Sequence, residues 1–224
     1  MSARTVVIAG AAAPLGNFVS KTFAARGDSL ALLDVDAPGL DSLTRDLNLP
    51  ATRLFARAAD LTDPATVRDA AEAVLARFGA VHGLIHLVGG WVGGKTIPES
   101  SADDLTFMLN QHAWTTFNLF QSFVPHLIAS GWGRVITLSL PLTVHPRPKV
   151  GAHAAAKAAQ EALVMTLAHE TRTQGVTANI IHVQGIDTKG TGQGATPAEI
   201  VSAILYLFSD DASKVTGTRI PIYK

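Results

Sequence analysis

Short apolar runs alternate with longer amphipathic segments along most of the chain. Such apolar runs are typical of strands buried on both faces of a parallel sheet, and the amphipathic segments have the spacing of helices that bury one side. The apolar runs predict strands at 6–9, 29–33, 53–57, 84–88, 134–138, 176–181 and 218–222. The intervening segments predict helices at 15–26, 38–47, 64–78, 150–174 and 197–208, and one long helix within 101–130.

This alternation predicts an α/β fold with a doubly wound parallel sheet of about seven strands. No low-complexity linker interrupts the chain, so we expect a single domain over residues 1–224.

The first strand leads through a glycine-containing turn into a helix. Gly10 permits positive φ at the turn, and Gly16 lets the helix pack closely against the strand. Ala13, Pro14 and Leu15 lie where the helix begins. Unpaired N–H groups and the helix dipole attract a phosphate there. The turn therefore predicts a phosphate-binding site, and the alternative is a strand–glycine–helix junction without a ligand.

Asp34 ends the second predicted strand, about 20 residues beyond the glycine turn. A carboxylate at this point can accept hydrogen bonds from an adenosine ribose and would repel a 2′-phosphate. The following Val35 and Asp36 provide no arginine to neutralise such a phosphate. We therefore expect NAD(H) to be preferred over NADP(H). The alternative is an aspartate of a solvated loop.

Composition narrows the possible partners. Among 224 residues, 18 Lys and Arg balance 18 Asp and Glu, so no charge excess favours nucleic acid or an anionic membrane. The absence of cysteine fits a reducing compartment, and we expect a cytoplasmic protein. The histidines lack a metal-binding spacing such as HExxH, so we expect no metal.

Several further motifs make the chain resemble the short-chain dehydrogenase/reductase family over essentially its whole length. The resemblance rests on the turn at 9–16, the pair Asp60-Leu61, Asn110, the strand GRVITLS at 133–139, Lys157 and the segment 196–217. It implies oxidoreductase activity and a homodimer or homotetramer formed through the long helix after Ser101 and the alanine-rich helix around Lys157. The cofactor residues that it implies are Gly10, Ala13, Pro14, Leu15, Gly16, Asp34, Asp60, Leu61, Val88, Gly89, Lys157, Ile186 and Thr188.

The catalytic positions depart from the family pattern. Family members use a Tyr as proton carrier, a Lys that lowers its pKa and holds the nicotinamide ribose, and a Ser that orients the substrate oxygen. Here His153 stands at the Tyr position and Leu140 at the Ser position, with Ser139 one residue early. Asn110 and Lys157 are retained. The catalytic candidates are therefore Lys157, His153, Asn110 and Ser139.

His153 precedes Lys157 by four residues, which places both side chains on one face of a helix. A nearby ammonium disfavours the imidazolium, so a neutral His153 would accept protons better than it donates them. This favours alcohol oxidation. The alternative is that His153 only fills the space of the Tyr. Similarly, Ser139 either reaches a substrate oxygen after a shift of the strand end or caps local backbone.

Two segments bear on the substrate. Only KGTGQGAT separates Thr188 from Pro197, where family members usually carry a longer lid, so we expect an open site or one closed by a partner subunit. Gly89 to Gly94 reads GGWVGG, which is similar to a segment of dihydropteridine reductases. That similarity suggests a planar heterocycle stacked on Trp91, and the alternative is a flexible loop.

Two functions fit these patterns. The first is a divergent NAD(H)-dependent oxidoreductase acting on a small alcohol, carbonyl compound or reducible ring. The second is a catalytically inactive dinucleotide-binding relative that serves as a partner or regulatory protein. The retained Asp34, Asp60 and Lys157 predict cofactor binding in the first and are compatible with the second.

Overall fold

The computed structural model describes residues 4–223. Seven strands form one parallel sheet in the order β3-β2-β1-β4-β5-β6-β7. The strands are β1 (Thr5–Ala9), β2 (Ser29–Asp34), β3 (Leu54–Ala58), β4 (Gly83–His86), β5 (Gly133–Ser139), β6 (Val176–His182) and β7 (Arg219–Pro221). This is the doubly wound α/β architecture that the apolar runs predict, with each strand within a residue or two of its predicted place.

Helices connect the strands and cover both faces of the sheet. They are α1 (Pro14–Ala25), α2 (Ala37–Leu47), α3 (Pro64–Phe78), α4 (Ala102–Leu109), α5 (Thr115–Ala129), α6 (Gly151–Glu170) and α7 (Pro197–Leu207). Local signals explain several of these boundaries. Asp63, for example, caps α3 by accepting hydrogen bonds from the N–H groups of Ala65 and Thr66, and Gly79 ends that helix at φ 74°.

The long helix predicted within 101–130 is divided in two. A π-helical turn, Asn110–Trp114, joins α4 to α5, and the N–H of Thr115 donates to the carbonyl of Asn110. Single π turns of this kind occur frequently at functional sites. No proline or glycine marks the break, so the apolar spacing alone did not predict it.

The hydrophobic core is split between the two faces of the sheet because successive strand residues point in opposite directions. On one face, Val7 of β1 packs in a cluster with residues of α3, α5 and α6. On the other, Val6 and Ile8 pack with residues of α1, α2 and α7. Because the strands are parallel, their carboxyl ends share one edge of the sheet, where ligands bind in folds of this class. Between residues 4 and 223, no helix is both long and apolar enough to cross a membrane.

Candidate active site

Two adjoining cavities open along the carboxyl ends of the strands. The first, of about 400 Å³, lies beside the glycine turn, and the second, of about 220 Å³, lies beside Lys157 and His153. Both are walled by Leu87, Val88 and Gly89, the segment directly after β4. Together they form a trough that runs from the turn to the start of α6.

The glycine turn is shaped by two close backbone approaches. Gly10 has φ 84°, and a Cβ there would lie 2.9 Å from the carbonyl carbon of Leu87. A Cβ on Gly16 would lie 2.1 Å from the carbonyl oxygen of Gly10. Gly10 and Ala13 line the first cavity. Glycine at positions 10 and 16 therefore lets the turn pack directly against the segment after β4 and against its own helix.

The turn before α1 is fixed by Asn17, a residue that the sequence patterns did not single out. Asn17 Nδ2 donates to the carbonyls of Ala11 and Ala12, at 3.2 and 2.9 Å, and so pins the turn. Pro14 occupies the first helical position. The N–H groups of Leu15 and Gly16 precede the first intrahelical bond, from Asn17 N to Ala13 O. Such groups are the donors that bind anions at a helix start.

Asp34 lies at the far wall of the first cavity, next to Val35. One carboxylate oxygen accepts from the N–H of Ala12 at 2.9 Å, and the other accepts from the N–H of Asp36 at 3.1 Å. The carboxylate thus fastens the end of β2 to the glycine turn while it faces the cavity.

Asp60 and Leu61 line the same cavity after β3. Asp60 Oδ1 accepts from the N–H and the hydroxyl of Thr62 at 2.9 and 2.7 Å. The buried amide of Asn118 donates to the carbonyls of Leu61 and Thr62, which fixes this loop to α5. Asn110 lines the cavity from the π turn. The first cavity therefore brings together candidate residues from five segments: the glycine turn, β2, the loop after β3, the segment after β4 and the π turn.

Lys157 is buried in the wall of the second cavity. Its Nζ donates to the carbonyl of Leu138 and to Oε1 of Gln160, both at 2.9 Å, and Gln160 donates in turn to Thr116. Burial lowers the pKa of Lys157 to about 7, and the carboxylate of Glu161 opposes this shift. The ammonium has a third N–H beyond these two bonds.

His153 lies on the same helix and lines the same cavity. Burial and then the Lys157 ammonium lower the pKa of its imidazole to about 4. Its ring stacks on that of His112, with centroids 5.4 Å apart. At neutral pH the side chain is therefore an uncharged imidazole, and the low pKa makes it a weak base.

Two further histidines, which the sequence patterns did not assign to the site, lie around Lys157. His112 lines the second cavity and bonds through Nε2 to the carbonyl of Gly90 at 3.1 Å. His86 Nε2 lies 3.3 Å from the hydroxyl of Thr115. Burial and then Lys157 lower the pKa of His86 to about 3 and that of His112 to about 2. The position of His112 two residues after Asn110 was the available signal.

Ser139 lies at the wall of the second cavity, but its hydroxyl has another partner. Ser139 Oγ donates to Oε1 of the buried Glu161 at 2.6 Å. Adjacent strand residues point to opposite sides, so a hydroxyl at 139 does not replace one at 140. Leu140 presents its apolar side chain at the Ser position of the family.

The short segment after β6 forms a closed loop without a helix. Asp187 accepts hydrogen bonds from the N–H groups of Lys189, Thr191 and Gly192, and Ile186 pairs with Ala195. Ile186 lines the second cavity. The predicted cofactor residue Thr188 is exposed, outside the walls of both cavities. Trp91 is likewise 63% exposed and outside both walls.

Within the described range, no group of three or more His, Asp or Glu side chains is arranged to hold a metal ion.

Sequence comparison shows a similarity to one protein family over most of the chain. The short chain dehydrogenase profile matches residues 4–197. A subunit of a hydroxy(phenyl)methylsuccinyl-CoA dehydrogenase from Thauera aromatica is 27% identical, over 96% of this chain and 90% of that protein. A 3-oxoacyl-(acyl-carrier-protein) reductase from Thermotoga maritima is 23% identical, over 99% and 97%.

Solved structures share the fold at lower identity. A short chain oxidoreductase from Pseudomonas aeruginosa, described as NADPH-bound with an atypical catalytic center, has a TM-score of 0.90 and 22% identity, covering 98% of this chain and 95% of that one. A 3-ketoacyl-(acyl-carrier-protein) reductase from Brucella melitensis in complex with NADH has a TM-score of 0.90 and 20% identity, covering 98% and 96%. The match over most of the chain, together with the trough and its glycine turn, shows that this protein belongs to the short-chain dehydrogenase family.

Proposed function

We propose that the protein is an oxidoreductase that transfers a hydride between NAD(H) and a small alcohol, carbonyl compound or reducible ring. The observation that carries this proposal is the trough, which has a phosphate-binding turn at one end and Lys157 beside His153 at the other. Gly10 lines the first cavity with bare backbone, which suits the close approach of a dinucleotide.

The preference for NAD(H) over NADP(H) rests on Asp34. Its carboxylate lies at the cavity wall where the adenosine ribose would bind, and it would repel a 2′-phosphate. In solved structures of the same fold, one relative holds NADPH and another NADH, so the discrimination depends on residues particular to each chain.

The proposed reaction uses a neutral imidazole where the family uses a Tyr. When bound, the nicotinamide ring exchanges a hydride with the substrate carbon. Lys157 holds the ribose with its remaining N–H, Asn110 positions a water, and His153 accepts the proton of the substrate hydroxyl. Because Leu140 offers no hydroxyl, the substrate oxygen is oriented by His153 alone, which predicts slow turnover in the oxidative direction.

A second function is favoured by the contacts of Ser139 and by one relative. The Ser139 hydroxyl is bonded to Glu161, and the Thauera aromatica relative is a subunit of a dehydrogenase. In this second function the protein binds the dinucleotide without turnover and supports a partner. Both functions require the cofactor, and both are compatible with a homodimer or homotetramer.

The deciding experiment is titration with NADH and NADPH, followed by nicotinamide fluorescence, on the wild type, Asp34→Arg and Lys157→Ala. We expect saturable NADH binding that Lys157→Ala abolishes and that Asp34→Arg shifts toward NADPH. Asp34→Asn is the matched control, since it removes the charge but keeps an acceptor for the N–H of Ala12. Folded protein that binds neither nucleotide would overturn both functions.

A further inference from the structure

Glu161 is a buried carboxylate that lies behind the candidate site and lines neither cavity. Its side chain is 2% exposed, and it lies on α6 one turn after Lys157. Burial by itself raises the pKa of Glu161, but hydrogen bonds outweigh that effect and lower the pKa to about 2. The four donors are His182 Nε2 at 2.7 Å, Ser139 Oγ at 2.6 Å, Arg219 Nε at 2.5 Å and Thr143 Oγ1 at 2.8 Å. A carboxylate with four donors is ionised and fixed in place.

Glu161 and Lys157 hold the same strand end. Lys157 donates to the carbonyl of Leu138, and the next residue, Ser139, donates to Glu161. The face of α6 that carries both charged groups is thereby fastened to the last two residues of β5. Movement of that strand end would displace the ammonium from its acceptor.

The remaining donors come from the elements around the second cavity. Thr143 belongs to the short turn after Leu140, His182 ends β6 just before Val183, and Arg219 begins β7. Leu140 and Val183 line the cavity. A single carboxylate therefore ties together the walls on either side of Lys157.

The electrostatic surroundings of Lys157 also single out Glu161. The two acceptors that Lys157 contacts, a carbonyl and an amide oxygen, are uncharged. Three histidines face Lys157: His86 from β4, His112 from the π turn and His153 from α6. Their pKa values lie far below 7, so all three rings are uncharged at neutral pH. Glu161, itself paired with Arg219 and His182, is the carboxylate whose charge acts on the ammonium.

We propose that Glu161 is a positioning residue for Lys157, holding the end of β5 against α6 and keeping the ammonium charged for the cofactor. The effect of Glu161 on cofactor binding rests on the proposed binding of NAD(H). The charge of Lys157 itself is measurable without any ligand.

The first experiment follows the titration of Lys157 by NMR of ¹³Cε-labelled lysine, with the resonance assigned from Lys157→Arg. We expect Glu161→Gln to move the titration midpoint of Lys157 down by about one pH unit or more, as loss of an adjacent charge does. Thr143→Val, which removes one donor but leaves the carboxylate, and Glu170→Gln, which removes an exposed charge from the same helix, are the controls. Both should leave the midpoint in place.

The second experiment measures NADH affinity against pH. In the wild type we expect affinity to fall as the pH rises through the pKa of Lys157, because the neutral amine no longer attracts the cofactor. Glu161→Gln should move this decline to lower pH, while Thr143→Val keeps it. A shifted profile would not follow from loss of packing alone.

The outcomes separate the two proposals. A Lys157 midpoint unchanged in folded Glu161→Gln would overturn the role of Glu161, even if NADH binds normally. Absence of NADH binding by the wild type at every pH would overturn the proposed function, and the NMR titration would still decide the electrostatic role. If Glu161→Gln does not fold, Arg219→Gln replaces it. Loss of that cation should raise the midpoint of Lys157, and an unchanged midpoint would count against the proposal.

Discussion

Gly10 contributes both to the backbone conformation of the turn and to the wall of the proposed cofactor site. Its φ of 84° is unfavourable for a side chain, and the space where a Cβ would lie is bordered by the backbone of Leu87 and Val88. Gly10 also lines the first cavity, in which we propose that the cofactor binds.

We expect Gly10→Ala to destabilise the protein by roughly 2–4 kcal/mol, combining left-handed strain with overpacking, and to abolish NADH binding. Gly79→Ala is the control, because Gly79 has φ 74° but no atom lies within 4 Å of the position that its Cβ would take. It should cost only about 1 kcal/mol from strain. Urea unfolding measures both, and equal losses would contradict the steric explanation.

The double substitution His153→Tyr with Leu140→Ser should create a proton donor and an oxygen-orienting hydroxyl in the second cavity. We expect NADH oxidation with a small ketone or dione to rise by roughly 10²-fold or more, the range of general acid catalysis. His153→Phe with Leu140→Ser supplies the ring without the hydroxyl and should not gain activity. Equal rates for the two variants, with NADH still bound, would show that the missing hydroxyl is not what limits turnover.

Residues of the cofactor trough could be predicted because each lies next to a strand end in the sequence. The glycine turn follows β1, Asp34 ends β2 and Asp60 lies two residues after β3, so the parallel sheet brings them to one edge. The partner of Ser139 could not be predicted in this way. Glu161 lies 22 residues further on, in a helix whose alanine-rich spacing gave no sign that one of its acids is buried.

At the scale of elements, the loop after β6 takes its shape from one side chain. Asp187 accepts three backbone N–H groups and the hydroxyl of Thr191. The backbone bond from Thr191 and the other hydrogen bonds lower the pKa of Asp187, so the carboxylate stays ionised in mildly acidic solution. Hydrogen bonds to this one carboxylate therefore order the turn from Lys189 to Gly192.

Asp187→Ala should loosen this loop and let trypsin bind and cleave the peptide bond after the exposed Lys189. We expect cleavage after Lys189 to accelerate several-fold in the free protein, since local opening controls proteolysis of a folded chain. Asp211→Ala removes an exposed carboxylate of the same type and should leave the cleavage rate unchanged. Mass spectrometry of the early fragments identifies the site, and equal rates would mean that Asp187 does not order the loop.

The elements themselves were the most predictable level, because buried parallel strands have continuous apolar runs. The break in the long helix was not predictable, since the residues from Asn110 to Trp114 have no helix-breaking type among them. The π turn becomes visible only through the backbone geometry. It brings Asn110 to the first cavity and His112 to the second.

At the scale of the whole molecule, α4, the π turn and α5 carry large apolar side chains that the described chain leaves exposed. Leu105, Trp114 and Phe117 are 41%, 53% and 38% exposed, and the rings of Trp114 and Phe117 contact each other edge to face. Contiguous exposed apolar surface commonly marks a subunit contact. This supports the proposed homodimer or homotetramer through the long helical segment.

Trp114→Glu combined with Phe117→Glu should shift the protein from a dimer or tetramer to a monomer, because each charge would be buried in the contact. Light scattering after gel filtration measures the mass. Tyr206→Glu, which places a charge at an exposed aromatic position on α7, should leave the assembly intact. A monomeric wild type would rule out this interface.

The cluster around Glu161 also determines when, during synthesis of the chain, the candidate active site becomes complete. Arg219 opens β7, which follows every other described element, and its guanidinium pairs with a carboxylate beneath the Lys157 site. A ribosome-bound chain that has not yet released β7 lacks this cation, so the buried charge is only partly compensated. Cofactor-binding competence should therefore arise only after β7 has been released, later than the glycine turn and most of the sheet.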